Sequence, residues 1–200
     1  DMLLSCLTSK LTSRRVVKVL HKHLSVGVSK RDPLHRILYR DVDRTIAISQ
    51  YVKRSLIGNC PLKDDDIEVI ECGIDLDKWN AANINRDRLR AEYRLSASHV
   101  LVGLVGRLDP RKGQEQFIRA AALLGGKYPQ ARFLIVGDSP DEKYKMHLRR
   151  QSHDLGIEKM VIFTGHRDDI PSVVGGLDLL VAPSKEESFG LVVIEAMALK

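Results

Sequence analysis

The sequence has 200 residues, of which 44% are hydrophobic and 5% aromatic, and its formal net charge is +6 at pH 7. This length suits one domain or two small ones, and the hydrophobic content is that of a globular protein. No stretch approaches about 18 uninterrupted apolar residues, so no membrane-spanning segment is predicted, and no signal peptide is visible.

The positive charge is concentrated in the first part of the chain. Residues 1–60 hold 12 Lys and Arg against 4 Asp and Glu, a balance of +8, whereas residues 61–200 hold 20 against 22. Such asymmetry indicates an anionic partner. Because no basic run is interleaved with stacking aromatic residues, the pattern favours a peripheral contact with an anionic membrane over nucleic acid.

Three cysteines, Cys6, Cys60 and Cys72, are too few and too scattered for a disulfide framework or a zinc site. We expect free thiols in a reducing compartment, and hence a cytoplasmic protein that also contacts the inner face of a membrane. The acidic turn at 64–66 is interpreted as solvated, so no metal site is predicted. The chain starts at Asp1 and stops at Lys200 within a helical pattern, which predicts an internal fragment of a longer protein.

In chain order, residues 3–12 have apolar positions at helical spacing, and Val16–Leu20 is predicted to be a strand. That strand would deliver His21, Lys22 and His23 to its carboxyl end, where ligands bind in open α/β sheets. One of these histidines is therefore a candidate catalytic residue. The alternative is that both are structural or merely exposed.

A β-α-β alternation continues through residue 70 and predicts a parallel sheet with right-handed crossovers. Its elements are a helix over Pro33–Asp43, a strand over Arg44–Ile48, a helix capped by Ser49 and a strand over Ile67–Ile70. The polar stretch that follows, with a short charged helix over 88–93, marks the predicted domain boundary.

A second α/β unit begins with the apolar strand Val100–Val105. The remaining predicted elements are helices over 114–124, 141–155 and 190–199 and strands over 131–136, 161–163 and 178–182. The last helix, rich in Ala, Leu and Met, is predicted to be buried.

The loop Gly106–Gly113 joins the first strand of this unit to its first helix. Arg107 offers a planar fork and Lys112 a compact charge, and together they suit a diphosphate at the carboxyl edge of the sheet without a metal. The alternative is a surface loop that happens to be basic. The loop lacks the Walker and the Gly-x-Gly-x-x-Gly patterns, which disfavours a dinucleotide dehydrogenase.

A second candidate stretch is Glu187–Glu195. A helix that opens at Gly190 would direct backbone N–H groups and its positive dipole end towards a phosphate. Glu195 would lie about 7 Å along the helix axis, near a hydroxyl-bearing group of the same ligand. The alternative is a solvated acidic loop and a helix whose Glu pairs with a Lys.

Together, Gly-Arg-Leu-x-x-x-Lys-Gly at 106–113 and Glu-x7-Glu at 187–195 resemble the donor-binding lobe of the family 4, or group 1, glycosyltransferases of GT-B architecture. The resemblance covers nearly the whole chain and includes 42–49, 73–79 and 165–170, the last on the nucleobase side of the family's cleft. It implies two Rossmann-like lobes, both incomplete: 1–80 of the amino-terminal acceptor lobe, the connection 81–98, and 99–200 of the donor lobe.

The resemblance also implies residue roles. Arg107 and Lys112 would bind the diphosphate of a nucleotide-sugar, Glu187 the sugar hydroxyls, and Glu195 the ribose hydroxyls. Backbone N–H groups would come from Phe189, Gly190 and Leu191. His23, or His21 as the substitute, would lie near the anomeric centre.

The implied reaction is sugar transfer with retention of configuration, from a UDP-, GDP- or ADP-sugar to a glycan or lipid acceptor, without a required cofactor or metal. The 200 residues alone are expected to have no turnover. Alternatives are a nucleotide-sugar epimerase or phosphorylase-type enzyme of the same fold, and a non-catalytic basic binding module.

Overall fold

The computed structural model describes residues 2–12 and 16–199. The chain divides into two compact units, Asp1–Gly73 and Ile74–Lys200. Each unit is an α/β structure around a parallel sheet, which confirms the predicted fold class. The assignment of these units to two lobes joined by residues 81–98 stays a prediction.

The first unit has three parallel strands in the order β1-β2-β3. Its elements are α1 (Met2–Lys10), β1 (Val19–Lys22), α2 (Pro33–Arg40), β2 (Arg44–Ala47), α3 (Gln50–Asn59) and β3 (Ile67–Val69). Ser49 caps α3 as predicted, because its side chain accepts a hydrogen bond from the N–H of Val52 at 3.2 Å. The core of this unit includes Val52 and Leu56, both fully buried.

Strand β1 lies three residues later at its start than the sequence predicted. The ladder to β2 begins where Val19 stands opposite Arg44, and just before it the carbonyl of Lys18 accepts from the N–H of Asp43 at 2.9 Å. Val16 and Val17 are apolar but exposed, because they precede this ladder. The prediction relied on apolarity alone and was wrong here, so His21 and Lys22 belong to the strand and only His23 follows it.

The second unit has four parallel strands in the order β6-β5-β4-β7. Its elements are α4 (Asp87–Glu92), β4 (Val100–Val105), α5 (Gln114–Gly125), β5 (Ala131–Val136), α6 (Glu142–Asp154), β6 (Val161–Gly165), α7 (Ile170–Gly175), β7 (Leu179–Leu180) and α8 (Leu191–Ala198). Helix α7 was not predicted. It is six residues long and has a proline in its first turn, so it offers little helical periodicity.

Both faces of the larger sheet are covered, as the continuous apolar run of β4 predicts. On one face Leu104, Phe133 and Ile135 pack against side chains of α5 and α6. On the other face a cluster containing Leu101 and Leu134 packs against α4 and α7. Because all four strands are parallel, the loops that follow them meet at one carboxyl edge.

Helix α8 differs from its prediction, because none of its residues is buried. Leu191 is 43% exposed and Met197 is 63% exposed. The helix follows β7, a two-residue strand at the edge of the sheet, and it reaches the adjacent apolar cluster only through small side chains such as Ala196 and Ala198. Ala and Leu enrichment therefore predicted the helix correctly and its burial wrongly.

Candidate functional site

The loops after β4 and β7 touch at the carboxyl edge of the larger sheet. The N–H of Lys185 donates to the carbonyl of Arg111 at 2.8 Å. Gly113 has a φ of +78°, and a Cβ added there would lie 2.3 Å from the carbonyl oxygen of Pro183. Only glycine fits at position 113, because any side chain would collide with the backbone of Pro183. The stretches 106–113 and 187–195, which the sequence analysis identified as candidate sites, are therefore joined by adjacent loops.

Across this approach, Lys112 Nζ lies 2.8 Å from Glu187 Oε2. Both side chains are partly exposed, at 33% and 39%. Partial burial opposes the charged form of Glu187, but the hydrogen bond and charge of Lys112 outweigh it, so the pKa of this carboxyl is lowered. The ammonium group of Lys112 and the carboxylate of Glu187 thus stand side by side.

Arg107 extends from the same loop and its side chain is 67% exposed. Its Nη2 atom is 4.0 Å from Asp109 Oδ2, at the limit of an ion pair. Asp109 is engaged instead by Arg111, whose Nε and Nη2 atoms lie 3.0 Å and 2.7 Å from its two oxygens. These hydrogen bonds hold the pKa of Asp109 well below its usual range, and Arg107 keeps an accessible guanidinium.

A buried amide, which the sequence analysis missed, holds this loop from beneath. Gln114 is fully buried, and its Nε2 atom donates to the carbonyl of Arg107 at 2.9 Å. The hydroxyl of Tyr144 donates to Gln114 Oε1 at 3.4 Å, and burial raises the pKa of that phenol to about 12. Gln114 directly follows Lys112 and Gly113 and is the first residue of α5. A polar residue at a helix start is usually exposed, so no signal in the sequence indicated that Gln114 is buried.

The loops after β5 and β6 complete this edge of the sheet. A Cβ at Gly137 would lie 2.1 Å from the carbonyl oxygen of Gly106, so these two loops are in backbone contact. The N–H of Gly137 donates to the carbonyl of Gly165 at 3.0 Å. The segment 165–170 therefore lies at the same edge as the phosphate-loop candidate.

Within this segment, the side chain of Arg167 forms ion pairs with two carboxylates. Its side chain is 13% exposed and pairs with Glu92 at 2.5 Å and with Asp169 at 2.8 Å. The hydrogen bonds to these two carboxylates raise the pKa of Arg167 further above its ordinary value. Arg167 thereby ties α4 to the start of α7, whereas the neighbouring His166 is 74% exposed.

Helix α8 begins next to Glu187. Gly190, its cap residue, has a φ of +85° and no side chain to accept from the first N–H groups of the helix. Phe189 precedes it and Leu191 is the first helical residue, so the three predicted backbone donors lie at one helix start. Within α8, partial burial raises the pKa of Glu195, which the charge of Lys78 partly opposes.

The predicted histidines lie in the first unit. His21 and His23 are both exposed, and their ring centroids are 4.2 Å apart with the planes tilted by 48°. They stand at the carboxyl end of β1, as the alternation of side chains along a strand allows for residues two apart.

Within residues 2–12 and 16–199, no helix is both long enough and apolar enough to cross a membrane. No group of three or more His, Cys, Asp or Glu side chains in this part of the chain is arranged to hold a metal ion. Cys60 and Cys72 are free thiols, as predicted, and the thiol of Cys6 donates to the carbonyl of Leu38 at 3.9 Å.

Comparison with protein families bears on these loops directly. The model described as "Glycosyl transferases group 1" matches residues 85–200, which include both sequence stretches. The chain belongs to this glycosyl transferase family. A second model, "Glycosyltransferase Family 4", matches residues 2–78.

Curated relatives of this chain include two Mycolicibacterium smegmatis proteins. D-inositol 3-phosphate glycosyltransferase is 30% identical over 200 residues, covering 94% of the chain and 44% of the relative. GDP-mannose-dependent alpha-(1-6)-phosphatidylinositol monomannoside mannosyltransferase is 32% identical, covering 98% of the chain and 53% of the relative. The chain thus spans about half the length of these relatives.

Among solved structures, Anabaena HepE in complex with UDP and glucose has a TM-score of 0.82 at 27% identity, covering 99% of this chain and 54% of HepE. WaaG, a glycosyltransferase involved in lipopolysaccharide biosynthesis, has a TM-score of 0.76 at 18% identity, with 98% and 60% covered. These likenesses confirm the GT-B fold that the sequence motifs predicted.

Proposed function

We propose that this chain is the part of a retaining glycosyltransferase that holds a nucleotide-sugar donor. The observation that carries this function is the Lys112–Glu187 pair, which joins the two motif loops beside the exposed guanidinium of Arg107. A nucleotide-sugar presents a diphosphate next to sugar hydroxyls, and this edge presents cations next to a carboxylate. The charge pattern of the ligand and of the loops is complementary.

Arg107 and Lys112 are assigned to the diphosphate. Arg107 contributes bidentate hydrogen bonds and Lys112 a point charge, and both become more favourable as negative charge develops on the departing nucleoside diphosphate. The first N–H groups of α8, around Phe189, Gly190 and Leu191, add donors without adding a formal charge. This arrangement stabilises the leaving group without a metal.

The carboxylates are assigned to hydroxyl groups. Glu187, with its lowered pKa, accepts hydrogen bonds from the donor sugar, and Glu195 accepts them from the ribose. His23, or His21 beside it, is assigned to the neighbourhood of the anomeric carbon, as the family resemblance implies. These are binding and electrostatic roles, and neither glutamate is assigned proton transfer.

The donor nucleotide is tested by a screen of the full-length protein against UDP-, GDP- and ADP-sugars. HepE was solved with UDP-glucose and one mannosyltransferase relative is named as GDP-mannose-dependent, so both nucleotides must be included. We expect one nucleotide-sugar to raise the melting temperature strongly, since ligand binding to the folded state stabilises it. The absence of any shift would contradict the assignment and favour a non-catalytic binding module.

Retention is tested by proton NMR of the first product formed from that donor. We expect the anomeric proton of the transferred sugar to keep the configuration of the donor. An inverted product contradicts retention, and a free epimerised or phosphorolysed sugar identifies an epimerase or a phosphorylase-type enzyme instead.

The proposed acceptor is a glycan or a lipid at the inner face of a membrane. The protein is proposed to be cytoplasmic and to contact this membrane peripherally through residues 1–60. The balance of +8 in these residues supports an attraction to anionic lipid. Co-sedimentation with phosphatidylglycerol vesicles should exceed that with phosphatidylcholine vesicles and should fall as salt is added. Equal sedimentation with both vesicle types would contradict the contact.

A further inference from the structure

The first unit contains a cationic cavity that has no assigned ligand. Its volume is about 700 Å³. Six of the side chains that line it are formally charged, namely those of Arg36, Arg40, Arg44, Lys63, Asp43 and Asp66. Four cations thus face two carboxylates.

The cavity lies at the amino edge of the three-stranded sheet. Arg40 ends α2, Arg44 begins β2, and Lys63 lies on the approach to β3. His21 and His23 lie at the opposite, carboxyl edge of the same sheet. A ligand in this cavity is therefore distinct from one that reacts near the histidines.

The two carboxylates are committed to backbone groups. Asp66 Oδ2 accepts from the N–H of Lys63 at 2.7 Å, and Asp43 Oδ2 accepts from the N–H of Lys18 at 2.8 Å. Among residues 2–12 and 16–199, no carboxylate oxygen lies within 4.0 Å of a side-chain nitrogen of Arg40, Arg44 or Lys63. Four cations against two carboxylates leave a surplus of two positive charges.

The floor of the cavity is rigid and carries hydroxyl groups. Thr45 is 1% exposed and is held in the ladder between β1 and β3. Tyr39 is 4% exposed, and its hydroxyl accepts from the thiol of Cys60 at 3.1 Å. The rim therefore supplies guanidinium and ammonium groups, whereas backbone hydrogen bonds fix the position of the floor.

We propose that this cavity binds a phosphate group of a ligand other than the sugar donor. A phosphate monoester carries up to two negative charges near neutral pH, which matches the surplus of two cations. Arginine guanidinium groups bind phosphate oxygens through paired hydrogen bonds, and lysine adds a point charge. The phosphate belongs to a small phosphorylated metabolite or to the headgroup of a monoester lipid, and the two sources share this chemistry.

The test is calorimetric titration of the protein with inorganic phosphate and with pyrophosphate. It is run in the Lys112→Ala background so that the proposed donor site contributes little. The double substitution Arg40→Ala with Arg44→Ala should weaken binding at least tenfold, since each arginine removed takes away charge-assisted hydrogen bonds. Arg54→Ala, an exposed arginine of α3 outside the cavity, is the matched control and should bind as the background does.

A second arm uses vesicles that contain phosphatidic acid, compared with vesicles of phosphatidylcholine alone. Binding of soluble phosphate that the double variant loses identifies a metabolite site. Binding of phosphatidic acid vesicles alone, also lost in the double variant, identifies a lipid headgroup site. Unchanged binding of every probe in the double variant, or an equal loss in Arg54→Ala, overturns the site.

Folding of the double variant is checked by its urea midpoint. If it does not fold, Arg40→Lys with Arg44→Lys keeps both charges and removes both guanidinium forks. This variant should lose affinity severalfold while phosphate still binds. Full affinity in the lysine variant would contradict binding by the guanidinium groups.

Discussion

The Nζ atom of Lys112 donates a hydrogen bond to Oε2 of Glu187 across 75 positions of sequence. The cation assigned to the diphosphate and the carboxylate assigned to the sugar therefore form one electrostatic unit. A change in either charge alters the environment of the other, since the pKa of Glu187 is lowered by this lysine. Binding of the phosphate and of the sugar should be energetically coupled.

Lys112→Ala should lower kcat/KM for the nucleotide-sugar. The decrease should correspond to a loss of about 2–4 kcal/mol of transition-state stabilisation, the usual magnitude for one such contact. Steady-state kinetics of the full-length protein measure it. Lys159→Ala, an exposed lysine in the turn before β6, is the control and should leave kcat/KM unchanged. Adding Glu187→Gln should cost less than the sum of the two single effects, and strict additivity would contradict the coupling.

Gly113→Ala should separate the two loops, because its Cβ would lie 2.3 Å from the carbonyl of Pro183 and its φ is positive. We expect a loss of stability of more than about 1 kcal/mol and a much weaker affinity for nucleotide-sugar. Gly126→Ala is the control, since its φ is −67° and nothing lies within 4 Å of the added Cβ. Urea denaturation and calorimetry should show no loss for this control, and an equally mild Gly113→Ala would refute the backbone approach.

Gln114→Leu should leave the Arg107 carbonyl without its buried donor at 2.9 Å. We expect a destabilisation of about 1–3 kcal/mol and a raised KM for the donor with a smaller change in kcat. Tyr144→Phe removes only the longer 3.4 Å contact and should leave KM close to the wild-type value. An unchanged KM in Gln114→Leu would mean that this amide stabilises the fold without positioning Arg107.

Arg167→Ala should destabilise the second unit by about 1–3 kcal/mol, because Glu92 and Asp169 would lose their shared partner. The effect should shrink in acid. The pKa values of Glu92 and Asp169 are lowered in the folded protein, so their stabilisation is present above the unfolded-state pKa and is lost as the pH falls through the folded-state value. Arg150→Ala, an 83% exposed arginine of α6, should change stability by less than about 0.5 kcal/mol.

Glu195→Gln should stabilise the protein and weaken donor binding at the same time. Burial raises the pKa of Glu195 above its ordinary value of 4.5, so its contribution to stability declines as the pH rises through the folded-state value. Glutamine has no charge to desolvate, and the melting temperature should therefore exceed that of the wild type at pH 8 and approach it in acid. Glu158→Gln, at an exposed position, is the control for the pH trend. A lower melting temperature of Glu195→Gln at pH 8 would contradict the burial effect.

Much of the second unit could be predicted from sequence, because its strands are apolar runs with turn residues at their ends and its motif loop directly follows one of them. The strands Val100–Val105 and Ala131–Val136 are apolar runs bounded by turns, and the motif loop follows the first of them directly. Parallel strands place their following loops at one edge, so the proximity of 106–113 and 187–190 was implied by topology. The Lys112–Glu187 pair is consistent with that implication.

The errors have one physical origin, which is that pairing and burial depend on partners remote in sequence. Strand β1 starts where β2 offers hydrogen bonds at Arg44, and no residue of α8 is fully buried where this helix follows β7, a two-residue strand at the edge of the sheet. Gln114 looks like an ordinary polar residue at a helix start until the fold places the Arg107 carbonyl above it. A pattern within one segment contains none of this information.

The close approach of Gly113 to Pro183 has a consequence for which residues of the proposed site can be altered independently. The separation of the two loops is set by main-chain contact, and the charges beside this contact come from side chains on the two loops. Substitutions at positions 107, 112 or 187 should therefore change the charge of the proposed donor site without changing the separation of the two loops. A designer who seeks a new donor preference should keep the two backbones unchanged and vary only the side chains they carry.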